Sequence, residues 1–513
     1  MKTEFEPSPY QKAIFDFIKE GTSDSGIIEA VAGSGKTTTI VESLKFISQD
    51  KQVLFLAFNK AIAEELKSRV PTNVKAATFH STGFGAWMAN NRGSRIRVES
   101  NKVRDLCRDW IGERELRDYM GFVMKMVGLA KGFGVGYLLQ DTMETWMNLM
   151  DHFDVNLNTG NGKERGKEVT EARGIELARM ILEKSIEEAE QVIDFDDMLY
   201  MPLIRNCRFN KYDFVFIDEA QDTNGVQMAL LKRMLKPGGR LIAVGDPHQA
   251  IYGFRGADSE AMSRIEEDFG CINLPLSVSY RCPQAVVRAA QEFVPHIETF
   301  DGAPEGLVEN LDKYDVNNFQ GTDAILCRVT APLVEAAYGL IKRRVPCRIL
   351  GRDIGVGLEN LIKQMKARDI DHLEERLDNY LNREIAKLTS KGKEDKAQAV
   401  DDRVTTLRCI ISHLDEGNRT IDNLIRSIQQ LFTDNNKGLL TLATIHKAKG
   451  LEWQRVFILG RHKYMPSCWA RKAWQKQQEV NLIYVAYTRA KQELYFLPEG
   501  FHKAEAREKD NEI

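Results

Sequence analysis

A glycine-rich segment directly after a short apolar run constrains this chain of 513 residues more than any other feature. Residues 26–28 read GII and have the texture of a buried strand, and residues 29–39 continue as EAVAGSGKTTT. A strand, a glycine-rich turn and then Gly-Lys-Thr form the usual order of a phosphate-binding loop. Backbone N–H groups of such a loop hold a polyphosphate, together with the dipole of the helix that follows. The segment therefore predicts a nucleotide site at the end of a strand.

Two side chains of this loop have predicted roles. Lys36 is placed to reach the β- and γ-phosphates, and Thr37 is placed to ligate Mg²⁺. Ala30 occupies the position of the first glycine in the usual GxxxxGK[ST] pattern. The alternative interpretation is a glycine- and serine-rich turn that merely precedes a helix. The intact GKT and the preceding strand favour the phosphate-binding loop.

Length and composition limit the class of protein. A chain of 513 residues is too long for one hydrophobic core and fits roughly three to four domains. The net charge of −3 gives no overall basic field, although a nucleic acid can still bind a local basic groove. The eight cysteines are scattered without a CxxC pair, which argues against a zinc or iron–sulfur site and favours a reducing compartment.

The N-terminus, MKTEFEPSPYQK, lacks the apolar core of a signal peptide. No apolar run approaches the ~20 residues of a membrane span. We therefore expect no membrane partner and an intracellular protein, which would be cytoplasmic in a prokaryote or in the host cell of a virus, and nuclear in a eukaryote.

Short apolar runs alternate with helical patterns along two parts of the chain, which is typical of α/β domains with parallel sheets. The strand candidates are Gly26–Ala30, Val53–Ala57, Val74–Thr78, Phe214–Asp218, Leu241–Gly245, Ala324–Arg328, Cys347–Leu350, Leu439–Thr444, Val456–Leu459 and Glu493–Phe496.

Two helical segments interrupt these strands. The first runs from about 91 to 192, and its residues 156–166 (NLNTGNGKERG) have the composition of an exposed loop. The second runs from about 354 to 436, and we interpret its polar stretch 390–402 as a link between helices. Two apolar stripes at helical spacing in the second segment predict core positions, namely Leu373, Leu377, Tyr380, Leu381, Ile385 and Leu388, and Ile421, Leu424, Ile425, Ile428 and Leu431.

A second chemical motif lies about 180 residues after the glycine-rich loop, where residues 214–222 read FVFIDEAQD. Asp218 is predicted to hold Mg²⁺, directly or through water, and Glu219 to polarise the water that attacks the γ-phosphate. A pair of carboxylates at a strand end is also found in solvated acidic turns. Its position after a GKT loop, among parallel strands, favours the catalytic interpretation.

A third motif makes a family resemblance specific. DEAQD followed by VGDPHQAIYGFRGA (244–257) resembles superfamily 1 DNA helicases of the UvrD/Rep type. Within that group it is similar to the F-box DNA helicase branch and to short microbial or viral relatives. Further segments match this family in the same order, namely PSPYQKAIFDFI (7–18), LAFNKAIAEELKSRV (56–70), ATFHSTGF (77–84), LSVSYRCP (276–283), TIHKAKGLEW (444–453) and YVAYTRAKQEL (484–494).

The resemblance implies an α/β fold with two RecA-like P-loop domains of parallel strands, each carrying a mainly helical insertion. The second insertion is reduced compared with the larger relatives. The expected boundaries are 1–90 and 193–275 for the first RecA-like domain, 91–192 for its insertion, 276–353 and 437–500 for the second RecA-like domain, 354–436 for its insertion and 501–513 for a charged, frayed tail.

The resemblance also implies the residues that bind ATP. Gln11 reads adenine, Tyr280 stacks on it, and Glu452 contacts the ribose. Gln249 senses the γ-phosphate, and two arginines reach that phosphate from the second domain, so that hydrolysis depends on closure between the domains. These arginines are Arg281 and Arg489, and the loop residues that cradle the phosphates are Ala32, Gly33, Ser34, Gly35, Lys36, Thr37 and Thr38. Thr38 stands where many relatives have arginine.

For DNA, the resemblance implies that Tyr252 and Phe254 stack on bases. The alternative is that these rings belong to a hydrophobic core. Ala57 stands where many relatives have a stacking aromatic residue, and the adjacent Phe58 is a substitute candidate. The remaining implied strand contacts are Asn59, Thr78, His80, Ser81, Arg255 and His446.

The family resemblance implies an ATP-dependent DNA helicase that moves 3′→5′ along single-stranded DNA in repair, recombination or replication. The implied partners are single-stranded DNA, duplex junctions and proteins of those pathways, and we expect a monomer. Two alternatives use the same motifs. One is a translocase that strips proteins such as recombinase filaments from single strands, and the other is an ATP-driven switch that binds DNA and barely moves.

A basic cluster opens the first helical segment, where only Glu99 and Asp105 offset the positive charge locally. One hypothesis is that it lines the path of a DNA backbone, and the other is that it forms a solvated helix face. The cluster consists of Arg92, Arg95, Arg97, Lys102, Arg104 and Arg108.

Overall fold

The computed structural model describes residues 6–19, 22–57, 59–67, 69–153, 155, 157, 169–251, 260–390, 394–432 and 438–503. The chain divides into two compact units, Met1–Ala30 with Gly35–Leu276, and Val31–Ser34 with Ser277–Ile513. Among the helices that the structure describes, none is long and apolar enough to cross a membrane.

The first unit alternates strands and helices at its two ends and is helical in the middle. In chain order its described elements are α1 (Pro9–Lys19), β1 (Gly26–Ala30), α2 (Lys36–Ser43), β2 (Val53–Ala57), α3 (Lys60–Lys67), β3 (Val74–Thr78), α4 (Phe79–Asn90), β4 (Arg97–Val98), α5 (Lys102–Trp110), α6 (Glu113–Phe133), α7 (Met143–His152), α8 (Glu171–Glu187), β5 (Val192–Ile193), α9 (Asp197–Ile204), β6 (Tyr212–Ile217), α10 (Gly225–Met234), β7 (Leu235–Gly245), α11 (Ala261–Phe269) and β8 (Ile272–Leu276).

The described strands of this unit include a six-stranded parallel sheet in the order β3-β2-β6-β7-β1-β8. Its inner strands are mostly apolar because both faces of the sheet are buried. Ile28 and Phe55 pack into the core on one face, and Ile27 and Leu54 pack into the core on the other. Parallel strands all end at the same edge, so the loops after β1, β2, β3, β6 and β7 lie along one side of the sheet.

The helical segment of the first unit has its own hydrophobic core, formed mainly by α5 to α9. The short parallel pair of β4 and β5 joins the start of this segment to its end, because Arg97 pairs with Val192 and Val98 pairs with Ile193. The predicted loop at 156–166 lies outside the described residues, apart from the buried Leu157.

Four buried charges tie this helical segment together. The Lys102 ammonium lies 2.7 Å from an Asp197 carboxylate oxygen and donates to the Ser185 carbonyl at 2.6 Å. The Lys131 ammonium lies 2.6 Å from Asp194 and 2.7 Å from Asp197. These four residues are the buried ion cluster. Placing Lys102 in the surface basic cluster was therefore wrong, because its side chain is 1% exposed.

The second unit repeats the α/β pattern. In chain order its described elements are β9 (Val278–Ser279), α12 (Gln284–Ala290), β10 (Glu298–Thr299), β11 (Leu307–Asn310), β12 (Asp323–Cys327), α13 (Ala331–Lys342), β13 (Cys347–Ile349), α14 (Arg352–Met365), α15 (Ile370–Ser390), α16 (Glu394–Ser412), α17 (Ile421–Leu431), β14 (Leu440–Thr444), α18 (Ile445–Ala448), β15 (Trp453–Leu459), α19 (Arg461–Tyr464), α20 (Ala473–Tyr487) and β16 (Ala490–Leu497).

Within the described part of this unit, six parallel strands form a sheet in the order β11-β16-β15-β12-β14-β13. The two sheets with their interspersed helices confirm the predicted fold class. Here the helical insertion shares a core with the sheet, because Leu373 and Leu424 belong to the same buried cluster as Ile325 and Phe457. The predicted apolar stripes are confirmed as buried or partly buried core positions.

Three details differ from the sequence predictions. Residues 394–402, interpreted as part of a polar link, are the first half of α16. The edge strands β8 and β11 were not predicted, because most of their residues are exposed or half-buried. The start of the expected tail is packed rather than frayed, since Phe501 is buried in the core of the unit; residues 504–513 lie outside the described chain.

The buried ion cluster gives a stability prediction. Lys102→Met leaves the buried Asp197 with one ammonium instead of two, so we expect the free energy of unfolding to fall by about 3–5 kcal/mol. Urea denaturation followed by circular dichroism measures this loss.

The control is Arg108→Met, which removes a surface ion pair to Asp105 at 3.4 Å. Such pairs contribute little, so the control should leave the midpoint nearly unchanged. Equal effects of the two substitutions would contradict the assigned role of the cluster.

Candidate nucleotide and nucleic-acid sites

The glycine-rich loop connects β1 to α2 at the carboxyl edge of the first sheet. Gly33 and Gly35 adopt left-handed φ values of 75° and 76°, a conformation that glycine adopts without steric cost. Gly35 is the residue before the first turn of α2, and its carbonyl accepts from the Thr39 N–H at 2.8 Å. The Ser34 hydroxyl is buried without a hydrogen-bond partner among the described residues. The loop thus has the backbone shape and an unused polar group that suit a bound anion.

Thr37 and Asp218 lie together, although 181 residues separate them. The Thr37 hydroxyl donates to Asp218 Oδ2 at 3.1 Å, and the Glu219 N–H donates to Asp218 Oδ1 at 2.9 Å. Burial raises the pKa of Asp218, and the neighbouring Glu219 charge adds to the increase. A hydroxyl and a carboxylate in contact are hard oxygen donors, so this pair fits a magnesium ion.

Glu219 is held in an unusual backbone conformation. Its φ of 54° and ψ of 44° are left-handed, which costs a non-glycine residue roughly 1–2 kcal/mol. The Gln221 amide nitrogen donates to the Glu219 carboxylate. Strain of this kind persists only where surrounding contacts hold it, and it is concentrated at functional sites.

A chain of hydrogen bonds continues from Gln221 to the loop after β7. Gln221 Oε1 accepts from the Asp246 N–H at 3.0 Å, and Asp246 Oδ2 accepts from the Gln249 amide at 2.6 Å. Glu219, Gln221, Asp246 and Gln249 therefore form one network across two strand ends. Glu219 and Gln249 were predicted from the sequence, whereas Gln221 and Asp246 were not. Each of these two is a polar residue just after a strand, which is the pattern that could have identified it.

Gln11 lies on α1 and is 2% exposed. Its side-chain oxygen accepts from the Ser8 N–H at 2.9 Å, and its amide nitrogen donates to the Thr39 hydroxyl at 2.9 Å. Since Thr39 belongs to α2, these contacts connect Gln11 to the helix that starts at the glycine-rich loop.

The second unit holds the other predicted nucleotide residues. Tyr280 is 41% exposed and stacks on Phe300, with ring centroids 5.8 Å apart. Arg281 donates from Nε to Glu452 at 2.7 Å, and Lys491 also pairs with Glu452. Glu452 thus orients the Arg281 guanidinium here.

Arg489 is 1% exposed in the second unit. Its guanidinium donates to the Val485 carbonyl at 2.9 Å, to the Leu451 carbonyl at 3.2 Å and to the Thr488 hydroxyl at 3.2 Å. Its position is therefore fixed by backbone groups, and a substitution would disturb the start of β16 as well as any contact with phosphate.

Three of the predicted DNA contacts begin helices at the carboxyl edge of the first sheet. Asn59 Oδ1 accepts from the Ile62 N–H at 2.9 Å at the start of α3. Thr78 and Ser81 cap the start of α4 reciprocally. Because β2 and β3 are neighbours in the sheet, these two helix starts lie beside each other.

His80 lies in the first turn of α4, and burial lowers its pKa, so the ring is neutral at pH 7. Phe195 approaches it edge-on, with ring centroids 6.5 Å apart, and is 57% exposed. Phe195 was not predicted from the sequence. It lies in the segment DFDD at 194–197, but its exposure becomes evident only once Asp194 and Asp197 are seen to be buried.

The other predicted DNA contacts are placed as follows. His446 lies on α18, directly after β14 in the second unit. Tyr252, Phe254 and Arg255 lie outside the described residues, as does Phe58.

Comparison with known proteins agrees with this geometry. The model of the UvrD/REP helicase N-terminal domain matches residues 14–270, and that of the UvrD-like helicase C-terminal domain matches residues 357–498. This chain belongs to the UvrD-like helicase family. Both matches include strands and helices of the two sheets, so the resemblance seen in the motifs extends over most of the chain.

Three proteins similar over most of this chain are named as DNA helicases. The chain is 27% identical over 502 residues to F-box DNA helicase protein 1 of Schizosaccharomyces pombe, covering 91% of this chain and 55% of the relative. It is 26% identical over 497 residues to F-box DNA helicase 1 of Gallus gallus, covering 90% and 46%. A probable DNA helicase II homolog of Mycoplasma pneumoniae is 22% identical over 598 residues, covering 92% and 81%. The chain thus spans about half the length of the F-box relatives.

The hydrogen-bond network gives a prediction for Gln221. Gln221→Ala removes one hydrogen bond to the Glu219 carboxylate and one to the Asp246 N–H. If Glu219 orients the attacking water, its displacement should lower the kcat of ATP hydrolysis about 10²-fold. Nucleotide affinity should change little. Steady-state ATPase assays and fluorescent-nucleotide titration measure the two effects separately.

The matched control is Gln227→Ala, which removes a glutamine that caps α10 at the Asn224 N–H. This variant should keep its turnover. A Gln221 variant with unchanged kcat would show that the network has no part in hydrolysis.

Proposed function

We propose that the protein is an ATP-dependent DNA helicase that moves along single-stranded DNA, with 3′→5′ direction. The observation that carries the proposal is the contact of Thr37 with Asp218 beside the glycine-rich loop and the strained Glu219. Membership of the UvrD-like family supports it.

The proposed ATP site uses the glycine-rich loop and the end of β6 for phosphate chemistry. The N–H groups of residues 33–37 bind the phosphates, because the Ala32 N–H already donates to the Tyr484 hydroxyl at 2.8 Å. Lys36 contacts the β- and γ-phosphates. Thr37 and Asp218 would hold Mg²⁺, which would neutralise phosphate charge. Glu219 orients and polarises the attacking water, and Gln221 keeps that carboxylate in place.

The second unit contributes the remaining groups. Tyr280 offers an exposed ring for stacking on adenine, and Phe300 supports it from its other side. Arg281 and Arg489 stabilise the charge that develops on the transferred phosphoryl group. Gln249 reports the presence of the γ-phosphate through Asp246. Hydrolysis would then depend on a change between the units, which is how ATP turnover would drive movement.

The proposed DNA site uses the other end of the same sheet edge. Asn59, Thr78 and Ser81 supply polar groups at two helix starts, which suit phosphate oxygens. Phe195 supplies an exposed ring beside the neutral His80. Base stacking on aromatic rings tolerates any sequence, which suits an enzyme that moves along DNA.

The first experiment compares ATPase activity with and without single-stranded DNA, and displacement of duplexes with a 3′ or a 5′ overhang. Strong stimulation with displacement of the 3′-overhang duplex supports the proposal. Stimulation without displacement would replace it with the translocase that clears proteins from single strands. Absence of stimulation would contradict the role of DNA.

Lys36→Ala tests the phosphate site. Loss of the ammonium removes its contact with the phosphates, so ATP turnover should disappear while DNA affinity without nucleotide stays nearly unchanged. Lys45→Ala is the control, because Lys45 lies just after the end of α2 and pairs with Glu42 at the surface. Turnover retained by the Lys36 variant would refute the role assigned to this lysine.

Phe195→Ala tests the stacking site. Loss of one stacked base costs roughly 1–3 kcal/mol, so affinity for single-stranded DNA should fall about 10-fold or more. Fluorescence anisotropy with a labelled oligonucleotide measures it. Phe195→Trp should restore binding, whereas Tyr137→Ala, at another exposed ring, should leave it unchanged. Equal affinities for all variants would exclude Phe195 from the DNA site.

A further inference from the structure

Four arginines of the first unit form an exposed basic surface between α4 and α5. Arg92 and Arg95 lie in the turn after α4, Arg97 in β4 and Arg104 in α5, and all four are exposed. These four residues are the arginine ribbon. They are the members of the predicted basic cluster that are exposed and, among the described residues, unpaired. The other two members are excluded because Lys102 is buried and Arg108 pairs with Asp105.

The ribbon is unpaired among the residues that the structure describes, with no carboxylate within ion-pair distance of its guanidinium groups. Some other arginines of the same unit are paired. Arg69 pairs with Glu65 at 2.9 Å, and Arg179 pairs with Asp141 at 2.9 Å. Four unpaired guanidinium groups within 13 residues, offset only by Glu99, concentrate positive charge in a chain whose net charge is −3.

The backbone beneath the ribbon is well fixed. The Arg97 N–H donates to the Gln191 carbonyl at 2.8 Å, and the Glu99 N–H donates to the Ile193 carbonyl at 2.8 Å. The following helix, α5, is anchored by Lys102, which belongs to the buried ion cluster. A rigid backbone lowers the entropy lost when these side chains bind a partner.

The ribbon is continuous with the proposed DNA site along two routes. It begins at the end of α4, whose first turn carries His80 and Ser81. It also lies on β4, whose partner β5 leads within two residues to Phe195. Val98, which pairs with Ile193, is 39% exposed beside these positions. Positive charge next to an exposed ring is the combination that binds a nucleic-acid backbone and its bases.

We propose that the arginine ribbon binds the phosphate backbone of DNA and extends the DNA site of the first unit beyond Phe195. This inference rests on the proposed function. The phosphates could belong to the single strand or to the duplex ahead of it, and the guanidinium groups recognise both in the same way.

The test compares two variants with equal loss of charge. The ribbon variant is R92Q/R95Q/R97Q/R104Q. The control is K67Q/R69Q/R173Q/R179Q, in which the four side chains already have carboxylate partners in this unit. Affinity is measured by fluorescence anisotropy over a range of salt concentrations, without nucleotide, for a single-stranded oligonucleotide and for a hairpin duplex with a single-stranded tail.

Each lost phosphate contact lowers the slope of log affinity against log salt by about 0.7–0.9, so four contacts lower it by about 3. We expect this loss for the ribbon variant and a slope close to wild type for the control. A lower slope on both ligands places the single strand on the ribbon, and a lower slope on the tailed hairpin alone places the duplex there. Either result supports the proposal.

Unchanged slopes for the ribbon variant, or equal loss in the control, would overturn it. A wild-type protein that does not bind either oligonucleotide would instead contradict the proposed function, so the two failures are distinguishable. Circular dichroism and thermal unfolding of both variants check that their folds are intact, as expected for exposed side chains.

Discussion

Parallel strand pairing decides where the first unit can do chemistry. It brings the ends of β1, β6 and β7 to one edge, so that residues from distant parts of the sequence become neighbours. Thr37 follows β1 and Asp218 follows β6, and their side chains meet across 181 positions of chain. Gln221 then connects the β6 end to Asp246 after β7. The site is therefore a property of the sheet edge and depends on both buried faces of the sheet for its rigidity.

Buried charge is used in two different ways in this unit. At the sheet edge, Asp218 is buried beside Glu219 with a raised pKa, an arrangement that favours binding of a cation. In the helical segment, the buried ion cluster is neutral as a whole, with two lysines and two aspartates. It cross-links α5, α6 and the turn at 194–197, and the exposed Phe195 lies on that turn. The carboxylates at the sheet edge thus suit a bound cation, whereas the buried ion cluster stabilises the turn that carries the exposed Phe195.

The two helical insertions differ in how they are attached. The first has a separate core and is closed at its base by β4 and β5, so its surface can be shaped without changing the sheet. The second shares one core with its sheet, and Asp402 on α16 accepts from the Thr330 and Ala331 N–H groups at the start of α13. The four exposed arginines lie at the start of the first insertion, and the exposed Phe195 follows its closing strand β5.

The sequence by itself determined the fold class and located the glycine-rich loop and the carboxylate pair at strand ends, because these depend on local order. Gly33 and Gly35 permit the left-handed turns, and apolar runs buried on both faces identify inner strands. It could not identify β8 and β11, since edge strands with exposed residues lack an apolar run. It also missed the start of α16, although Ala397, Val400 and Val404 follow helical spacing between charged residues.

Only the tertiary structure separated basic residues that look alike in the sequence. Lys102 and Arg104 are two positions apart, yet Lys102 is buried and Arg104 faces solvent. Lys102 can be buried because it pairs with Asp197, a residue 95 positions away in the sequence. The same holds for Phe195, whose exposure follows from the burial of Asp194 and Asp197 on either side. Local patterns give the type of each element, but the environment of a charge or a ring is set by long-range partners, and these are fixed only when the chain has folded.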